Sequence, residues 1–594
     1  MSDAAVSLLV LACAIALFVW NRLPVGVVAI LTALSLAATG VIDVPTALAG
    51  FGDPVVIFIA GLFVVSAGLE DSGVTSWVAR ALIDKAGTKR TSLLVAVMLL
   101  SALLSALITP NGAVAALLPV VIVAARRAHL SPSGLLIPVA FGGSAGALLT
   151  LSGSPVNVIV SEAAVGAGGR PFGFFEFALV GVPLVIGTIV CAVLGHRLLP
   201  DRATGSVVAD YGGHLDTLVE HYSLDQGFFR LGVPAGGAPA ARVLENADVQ
   251  VVGVQDRAGD PASVDRPLDT GDVVVVTGPY DAVQQLAADS GLTVVSTPLT
   301  RQTRESLLNG SVGVAEVVVA PRSSLIGETF FPGLVRGPIT VLGVSRYGRD
   351  RGAARTTLVQ GDALLVHGTW PAVQALEHDA DVLVVDSPEL VRRQTVPLGG
   401  AAVRAVGVLV LMVVLLATGA VAPAVAGLIA ATAMVILRVV SPAQAYRSIS
   451  WQALVLIGGL IPLSVAIRES GAATLIADRL VDLVGSGHPL LLLVALFVLS
   501  AGLGQVISNT ATSLVVVPIA IEAGLQLGLD LHTVLMTVTV ACGASFLTPI
   551  ATPPNMMVMA PGGYRFGDFW KLGGVTMLFW LLIGVLGVAA IWGP

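Results

Sequence analysis

Uncharged, predominantly apolar stretches run through this chain, among them Val6 to Trp20 and Leu572 to Trp592. Each is long enough, or nearly so, to cross a hydrocarbon core of roughly 30 Å as a helix. Lipid offers the peptide backbone no hydrogen-bonding partner, so a spanning segment of this kind must satisfy its own amides. The rest of the composition agrees. Of 594 residues 55% are hydrophobic and only 12% charged, against about 25% charged in soluble domains. An ordinary soluble enzyme is thereby excluded and a polytopic membrane protein expected. Cys13, Cys191 and Cys542 each stand alone in an apolar run, without the spacing of a disulfide framework or a zinc site. No basic segment precedes Leu8 to Trp20 and a second apolar segment follows at once, so this stretch reads as a retained span rather than a cleaved signal.

The charges are concentrated. Asp201 to Pro397 holds 24 acidic residues and 15 arginines, a net charge of −9, and contains no apolar run of spanning length. It reads as a soluble α+β insert, with strands over Val249 to Val254, Asp272 to Thr277, Thr340 to Val344 and Ala363 to His367 separated by turn residues. Its acidity argues against nucleic acid or an anionic membrane surface as a partner. The insert is itself repeated. Leu268-Asp269-Thr270-Gly271-Asp272-Val273 recurs as Leu358-Val359-Gln360-Gly361-Asp362-Ala363, and each copy closes on a short helix, Tyr280 to Ala288 and Trp370 to Glu377. The expected organisation is a first membrane half over 1–200, insert copies over 201–300 and 301–395, and a second membrane half over 396–594.

The membrane halves repeat as well, at an offset of 398 to 399 residues. Glu70-Asp71-Ser72-Gly73 opposes Arg468-Glu469-Ser470-Gly471, Leu117 to Val120 opposes Val516 to Ile519, and Leu149 to Asn157 opposes Leu547 to Asn555. Basic residues gather at Arg80, Lys85, Lys89 and Arg90, at Arg126 and Arg127, and at Arg197, Arg392, Arg393 and Arg404, which the positive-inside rule assigns to the cytoplasm. Thr91 to Ala125 is basic at both ends and interrupted by Pro110, Asn111 and Gly112. It should therefore enter and leave on one side as a re-entrant hairpin. His488 to Ala523, interrupted at Ser508-Asn509-Thr510, lacks such basic ends and should enter from the other. Five spans and one hairpin in each half give an inverted repeat, with the insert cytoplasmic, both termini outside and the plasma membrane as the location. Inverted repeats are a transporter signature, although symmetry alone leaves open a duplicated scaffold of another kind.

Four polar sequences interrupt otherwise apolar segments: Ser105 to Asn111, Ser152 to Asn157, Ser508 to Thr510 and Thr548 to Asn555. Broken backbone at bilayer depth lines a cavity or lies buried in protein, and it presents free N–H groups to an anion and free carbonyls to a cation. Ser, Thr and Asn add neutral donors and hard oxygen ligands.

These motifs resemble the divalent-anion/sodium symporter family of dicarboxylate, citrate and sulfate carriers. Ser508-Asn509-Thr510 followed by Pro518 is similar to its hairpin signature, and Gly153-Ser154-Pro155-Val156-Asn157 and Ala551-Thr552-Pro553-Pro554-Asn555 look like its Gly-Thr-Pro-x-Asn loops. The run from Ala544 to Gly573 most resembles the sulfate-type branch. The insert copies, Ala315 to Val385 above all, resemble paired TrkA-C (RCK-C) domains, which implies regulation, a nucleotide effector among the candidates, or dimer contacts. What the family resemblance implies is a homodimer that carries a small anionic substrate through the lipid bilayer by an elevator movement, with sodium as coupling ion. It implies one cation site at Ser105, Thr109, Asn111 and Gly153 and another at Gly504, Ser508, Asn509 and Ala551. The anion would lie near Ser154, Thr510, Thr552 and Pro553, among a wider substrate-binding set that adds Thr109, Asn111, Pro155, Asn157, Ser508, Asn509 and Asn555.

One departure stands out. Where the family has Ser-Asn-Thr in the first hairpin, this chain has Thr109-Pro110-Asn111, and proline offers neither an N–H nor a side-chain amide. The first cation site is thus expected to be altered or lost. Proton coupling would want an intramembrane carboxylate or histidine; none lies in the four motifs, and Asp53, Glu70, Asp71 and Glu469 sit at expected span ends as interfacial charges. Two competing readings remain. A channel or antiporter governed by TrkA-C domains would require a carbonyl filter or an intramembrane aspartate. An enzyme is suggested only by Gly142-Gly143-Ser144-Ala145-Gly146, a G-x-S-x-G match that lies in a span with no triad partners nearby, so no enzymatic activity is expected.

Overall fold

The computed structural model describes residues 2–20, 22–75, 77–78, 87, 89–202, 229–235, 249–257, 261–277, 280–296, 312–352, 355–385, 400–484 and 488–593. Arg80, Lys85, Arg392 and Arg393, which carry part of the orientation argument, and the expected boundary between the two insert copies lie outside the described residues. The chain divides into a unit formed by residues 1–208 with 398–594 and a unit formed by residues 209–397.

The first membrane half begins with α1 (Asp3–Trp20), α2 (Val25–Ala38), α3 (Val44–Ala49) and α4 (Pro54–Asp71). Asp43 and Asp53 cap α3 and α4 by accepting from Thr46 N at 2.9 Å and Val55 N at 2.8 Å, satisfying amides that a helix start leaves free. Asp53 is thus an internal cap of the 28-residue apolar run Val44–Asp71, not the end charge expected of it. There follow α5 (Arg90–Leu107), α6 (Pro110–Arg127), α7 (Leu136–Gly146), α8 (Pro155–Gly166) and α9 (Ala178–Leu194).

The unit of residues 209–397 is strand-rich. Its first sheet comprises β1 (Phe229–Gly232), β2 (Gln250–Gln255), β3 (Pro261–Ala262), β4 (Val273–Thr277) and β5 (Thr293–Ser296) in the order β3-β2-β4-β1-β5, with α10 (Tyr280–Asp289) before β5. A second sheet is built from β6 (Val312–Val319), β8 (Val335–Arg336), β9 (Ile339–Arg346), β10 (Arg349–Asp350), β12 (Ala363–Thr369) and, after α11 (Trp370–Ala375), β13 (Val382–Val384), while β7 (Thr329–Phe330) and β11 (Thr356–Thr357) pair with each other as a separate two-stranded sheet. The order of the second sheet, β10-β9-β12-β6-β13, repeats that of the first. The repeated Gly-Asp turn has a physical cause. Gly271 (φ +94°) and Gly361 (φ +85°) take the left-handed conformation that glycine adopts without cost. The following aspartates, Asp272 and Asp362, are buried and accept from the amides of Asp269 and Val359 at 3.0 and 2.9 Å and from Arg266 and Arg346, each at 2.7 Å. Phe331 of the second copy fills the space beside Gly253 of the first.

The second membrane half contains α12 (Gly400–Thr418), α13 (Pro423–Ile436), α14 (Pro442–Ser448), α15 (Trp451–Glu469), α16 (Ala472–Val484), α17 (Pro489–Gly504), α18 (Asn509–Gln526), α19 (Leu531–Gly543), α20 (Pro553–Met559), α21 (Phe569–Leu582) and α22 (Val588–Trp592). Among the described residues, seven helical runs are long and apolar enough to cross a membrane. The halves interlock: α4 packs on α13 and α2 on α15. Small residues make these approaches possible, for a Cβ on Gly61 would lie 2.7 Å from the Gly427 backbone.

Glu176, ion-paired within the loop between α8 and α9, also fastens that loop to the end of α22. Glu176 binds Arg170 through two 2.7 Å bonds and accepts from Gly173 N at 2.8 Å and Trp592 Nε1 at 3.0 Å. Burial pushes this carboxyl up, but the Arg170 guanidinium and the two N–H groups together outweigh it and bring it down to about 2. A depressed carboxyl stabilises the fold above its unfolded value and loses that contribution as pH falls through the folded one. Arg170→Gln should therefore lower stability by about 1 kcal/mol at pH 7, a figure discounted for Arg170's exposure, and make little difference near pH 2, as read by thermal unfolding of the two proteins across that range.

Candidate functional site

Both interrupted segments expected to be re-entrant form helix-turn-helix pairs. In the first, α5 gives way at Ile108, and Thr109, in extended conformation, caps α6 by accepting from Gly112 N at 3.3 Å. Pro110 occupies the first helical position, where a missing N–H costs nothing. In the second, α17 ends at Gly504, and Ser508 caps α18 by accepting from Ala511 N at 3.3 Å, with Asn509 first in the helix.

Two spans are broken, each at the repeat position. Between α7 and α8, Leu151–Gly153 forms a single 3-10 turn and Ser154 caps α8, accepting from Val156 N at 3.3 Å, with Pro155 next. Between α19 and α20 the chain is irregular from Ala544 to Thr552, and Pro553 opens α20. Each break is held by one asparagine. Asn157 Nδ2 donates to Ala147 O and Thr150 O, both at 2.8 Å. Asn555 Nδ2 donates to Ser545 O at 2.8 Å and Thr548 O at 3.1 Å. A threonine then ties each break to its own hairpin: Thr150 Oγ1 donates to Ala106 O at 2.6 Å and Thr548 Oγ1 to Gln505 O at 3.1 Å. The six partner carbonyls form three pairs that correspond at the 398 to 399 offset. Gly153 must be glycine, since a Cβ there would meet Ala147 O at 2.4 Å.

The second half concentrates oxygen atoms around Gly504. Asn509 Oδ1 accepts from Ser545 Oγ at 2.6 Å, and the point where a Gly504 Cβ would stand lies 3.8 to 3.9 Å from Ser545 Oγ, Asn509 Oδ1 and Cys542 O. The glycine that offers no side-chain ligand thus leaves space that three oxygens face. Gln505 braces this wall, donating to Ala501 O and Ala544 O and accepting from Leu547 N. In the first half the matching positions are Pro110 and Ala147 in place of Asn509 and Ser545, with Ser105 in place of Gly504.

Among the described residues, several buried polar atoms in this region have no hydrogen-bond partner: Ser105 Oγ, Asn157 Oδ1, Thr512 Oγ1, Thr552 Oγ1 and Asn555 Oδ1. Burying such atoms unpaired is costly, so a run of them at the two breaks and hairpins makes this region the candidate site. Not every expected residue is drawn in. Ala551 is buried beside Thr552, whereas Asn111, Ser508 and Pro553 are exposed and Thr510 half-buried. Among the described residues, the side chains of Asn111 and Thr510 hydrogen-bond to neither break. Thr150, Ser545, Gln505 and Thr512 had not been singled out. The repeat offset linking Thr150 to Thr548, and the polar Ser545 inside an apolar run, were the available signals.

Glu70 stands near the end of α4, as expected of it, and is half-buried. Its Oε1 is 3.4 Å from Ser66 Oγ, and a Cβ on Gly112, in the first turn of α6, would come within 2.5 Å of it. The carboxylate therefore lies against the start of the hairpin's returning helix, an end that favours negative charge. Ser144, the would-be nucleophile, is inside α7 and donates back to Ala140 O at 3.2 Å.

Apolar spanning helices, two hairpins and two spans broken around buried oxygens define an integral membrane transporter. The chain belongs to the citrate transporter family, whose model matches residues 15–541 and 466–594. It is 32% identical over 586 residues to the uncharacterized transporter YfbS of Escherichia coli (strain K12), covering 95% of each chain. Shorter matches join it to the probable sodium/sulfate cotransporter 3 of Chlamydomonas reinhardtii, 26% identical over 27% of this chain and 18% of that one. A similar stretch, 31% identical over 23% of this chain and 24% of the relative, joins it to the sodium-dependent high-affinity dicarboxylate transporter 3 of Caenorhabditis elegans.

Proposed function

We propose that this protein is a secondary carrier that imports a small divalent anion, sulfate or a C4-dicarboxylate, together with sodium. The observation that carries this reading is the set of neutral oxygens facing the space at Gly504, formed by Asn509, Ser545 and the Cys542 carbonyl. Hard, uncharged oxygens suit a small alkali cation. The start of α18 after Ser508 offers amides to an anion beside it, whereas Pro155 and the Pro553-Pro554 pair leave the first turns of α8 and α20 poorer in N–H groups. The names of the two sodium-dependent relatives support the same substrate class.

The first hairpin is poorer in ligands. Pro110 and Ala147 replace the two side-chain oxygens that frame the second site, leaving Ser105 Oγ without a neighbour of the Asn509 kind. Sodium coupling is therefore assigned to Gly504, Asn509 and Ser545, with Thr109, Asn111 and Gly153 serving the hairpin turn and the break. The repeated order of elements supports an inverted repeat that moves as an elevator against a dimeric scaffold. The repeated sheets support TrkA-C-like regulatory domains on the cytoplasmic side of the plasma membrane. With Ser144 turned back into its helix, the reading remains a carrier rather than a hydrolase.

The test is uptake of radiolabelled sulfate and of succinate into proteoliposomes with and without an inward sodium gradient. Ser545→Ala should raise the sodium concentration for half-maximal uptake about tenfold, the equivalent of one lost hydrogen-bonding ligand at about 1.4 kcal/mol. Ser105→Ala should leave it nearly unchanged. Uptake that ignores sodium and follows a proton gradient overturns the coupling assignment, and uptake of neither anion overturns the substrate class.

A further inference from the structure

Three segments distant in sequence close into one polar knot. The first is Ser131 to Ile137, which leads into α7 and so to the first break. The second is Pro200 to Arg202, from which the chain runs on toward the unit of residues 209–397. The third is Gly563 to Asp568, which follows α20 and so the second break. Arg202 donates to Gly563 O at 2.7 Å and to Asp568 Oδ2 at 2.6 Å, with a second contact to Oδ1 at 3.4 Å. Asp568 Oδ2 also accepts from Arg565 N at 2.7 Å. The Arg202 amide donates to Ser133 Oγ at 2.9 Å, and that hydroxyl donates to Pro200 O at 2.8 Å. Tyr564, buried, bridges the remaining pair of segments, its hydroxyl donating to Ser133 O and accepting from Ile137 N at 3.1 Å. Ser131 Oγ donates to Asp201.

From this knot we infer that Arg202 is a positioning residue for the transport site, holding the two broken spans in register with one another; the inference rests on the carrier reading above. The two breaks come from different halves, and each is reached from the knot through a single short helix, α7 in one direction and α20 in the other. The Asp568 side chain retains only 11% of its accessible surface, against 35% for Arg202. Without the guanidinium, this nearly buried carboxylate keeps only the Arg565 amide among these contacts, and an unpaired buried charge forces its surroundings to rearrange. The adjustment available is a shift of the 560–568 loop, and with it of α20 and the break that Asn555 holds. Arg202 thus joins the two halves, its backbone amide to Ser133 of the first and its guanidinium to Gly563 and Asp568 of the second. A small misplacement of binding groups weakens binding without removing any of them.

The experiment measures KM and maximal rate for sulfate and succinate uptake in proteoliposomes holding the full chain, for wild type, Arg202→Gln and Arg202→Lys. Amide hydrogen exchange of the same preparations supplies a second readout. Arg202→Gln should raise KM about tenfold with the maximal rate of folded protein within about twofold, in keeping with loss of a charged hydrogen bond. Exchange should speed in both breaks, around 147–157 and 545–563, and Arg202→Lys should recover most of the KM. An unchanged KM, or a fall in maximal rate and folded yield with KM constant, overturns the inference by reducing Arg202 to a structural contact. Should wild type carry neither anion, the carrier reading fails separately and exchange decides: faster exchange in both breaks sustains the positioning role, and change confined to 563–568 or absent defeats it.

Discussion

Asn555→Asp is expected to abolish measurable uptake and to lower the thermal stability of the protein at least as far as Asn555→Ala does. The Asn555 amide is fully buried and donates to two carbonyls of its own break, Ser545 O and Thr548 O. An ionised aspartate has the same size but only acceptors, so it would set a negative charge against two carbonyl oxygens. Asn555→Ala removes the donor without adding charge and leaves two buried carbonyls unpaired, a loss of about 1 to 3 kcal/mol for each. Together these figures, about 2 to 6 kcal/mol, are a large fraction of the stability of an ordinary domain. Asn157, with Ala147 O and Thr150 O, should behave alike. Initial rates in proteoliposomes, set beside thermal unfolding of the purified variants, check this. A variant at either position that retains wild-type uptake would show that the asparagine pair does not shape the breaks.

Gly146→Val should yield no folded protein at all. A Cβ on Gly146 would lie 2.1 Å from Ala102 O and 2.3 Å from the Ala102 Cα, distances that no side-chain adjustment can relieve because the obstructing atoms are backbone. The contact is between α7 and α5, the helix that carries the first hairpin, and overpacking of this kind forces helices apart. Gly502→Val supplies the contrast, being exposed and having nothing within 4 Å of its Cβ position. Monodisperse protein recovered after detergent extraction should vanish for the first substitution and match wild type for the second.

Much of this arrangement was readable from residues alone, because it is set by local chemistry. Ser508 and Thr109 cap helices as their types predict, and Pro110, Pro155 and Pro553 each fall at a first helical position. The repeat offset located both breaks. Proline at the first hairpin, though, reads differently in the fold: it is a good helix start, and the first half departs from the second equally at Ala147, whose counterpart Ser545 stands beside Asn509. The approach of Glu70 to the start of α6 was not legible for a similar reason. Gly112 is 42 residues away from Glu70 in sequence, and no periodicity links them. Arg202 and Asp568, separated by 366 residues, are beyond any local pattern.

The halves also exchange elements. α20, which follows the second break, packs on α6 and α7 of the first half, while α8 packs on α18 and α19 of the second. Biosynthesis must accommodate this exchange. At about 5 to 20 residues per second, roughly 20 to 80 s separate synthesis of α8 from synthesis of α20. During that interval the first break is in the bilayer without its packing partner, and its polar groups face whatever lies beside them. The second half therefore arrives as a template that completes the first, so a chain whose synthesis stops within the strand-rich unit has a first break without its packing partner.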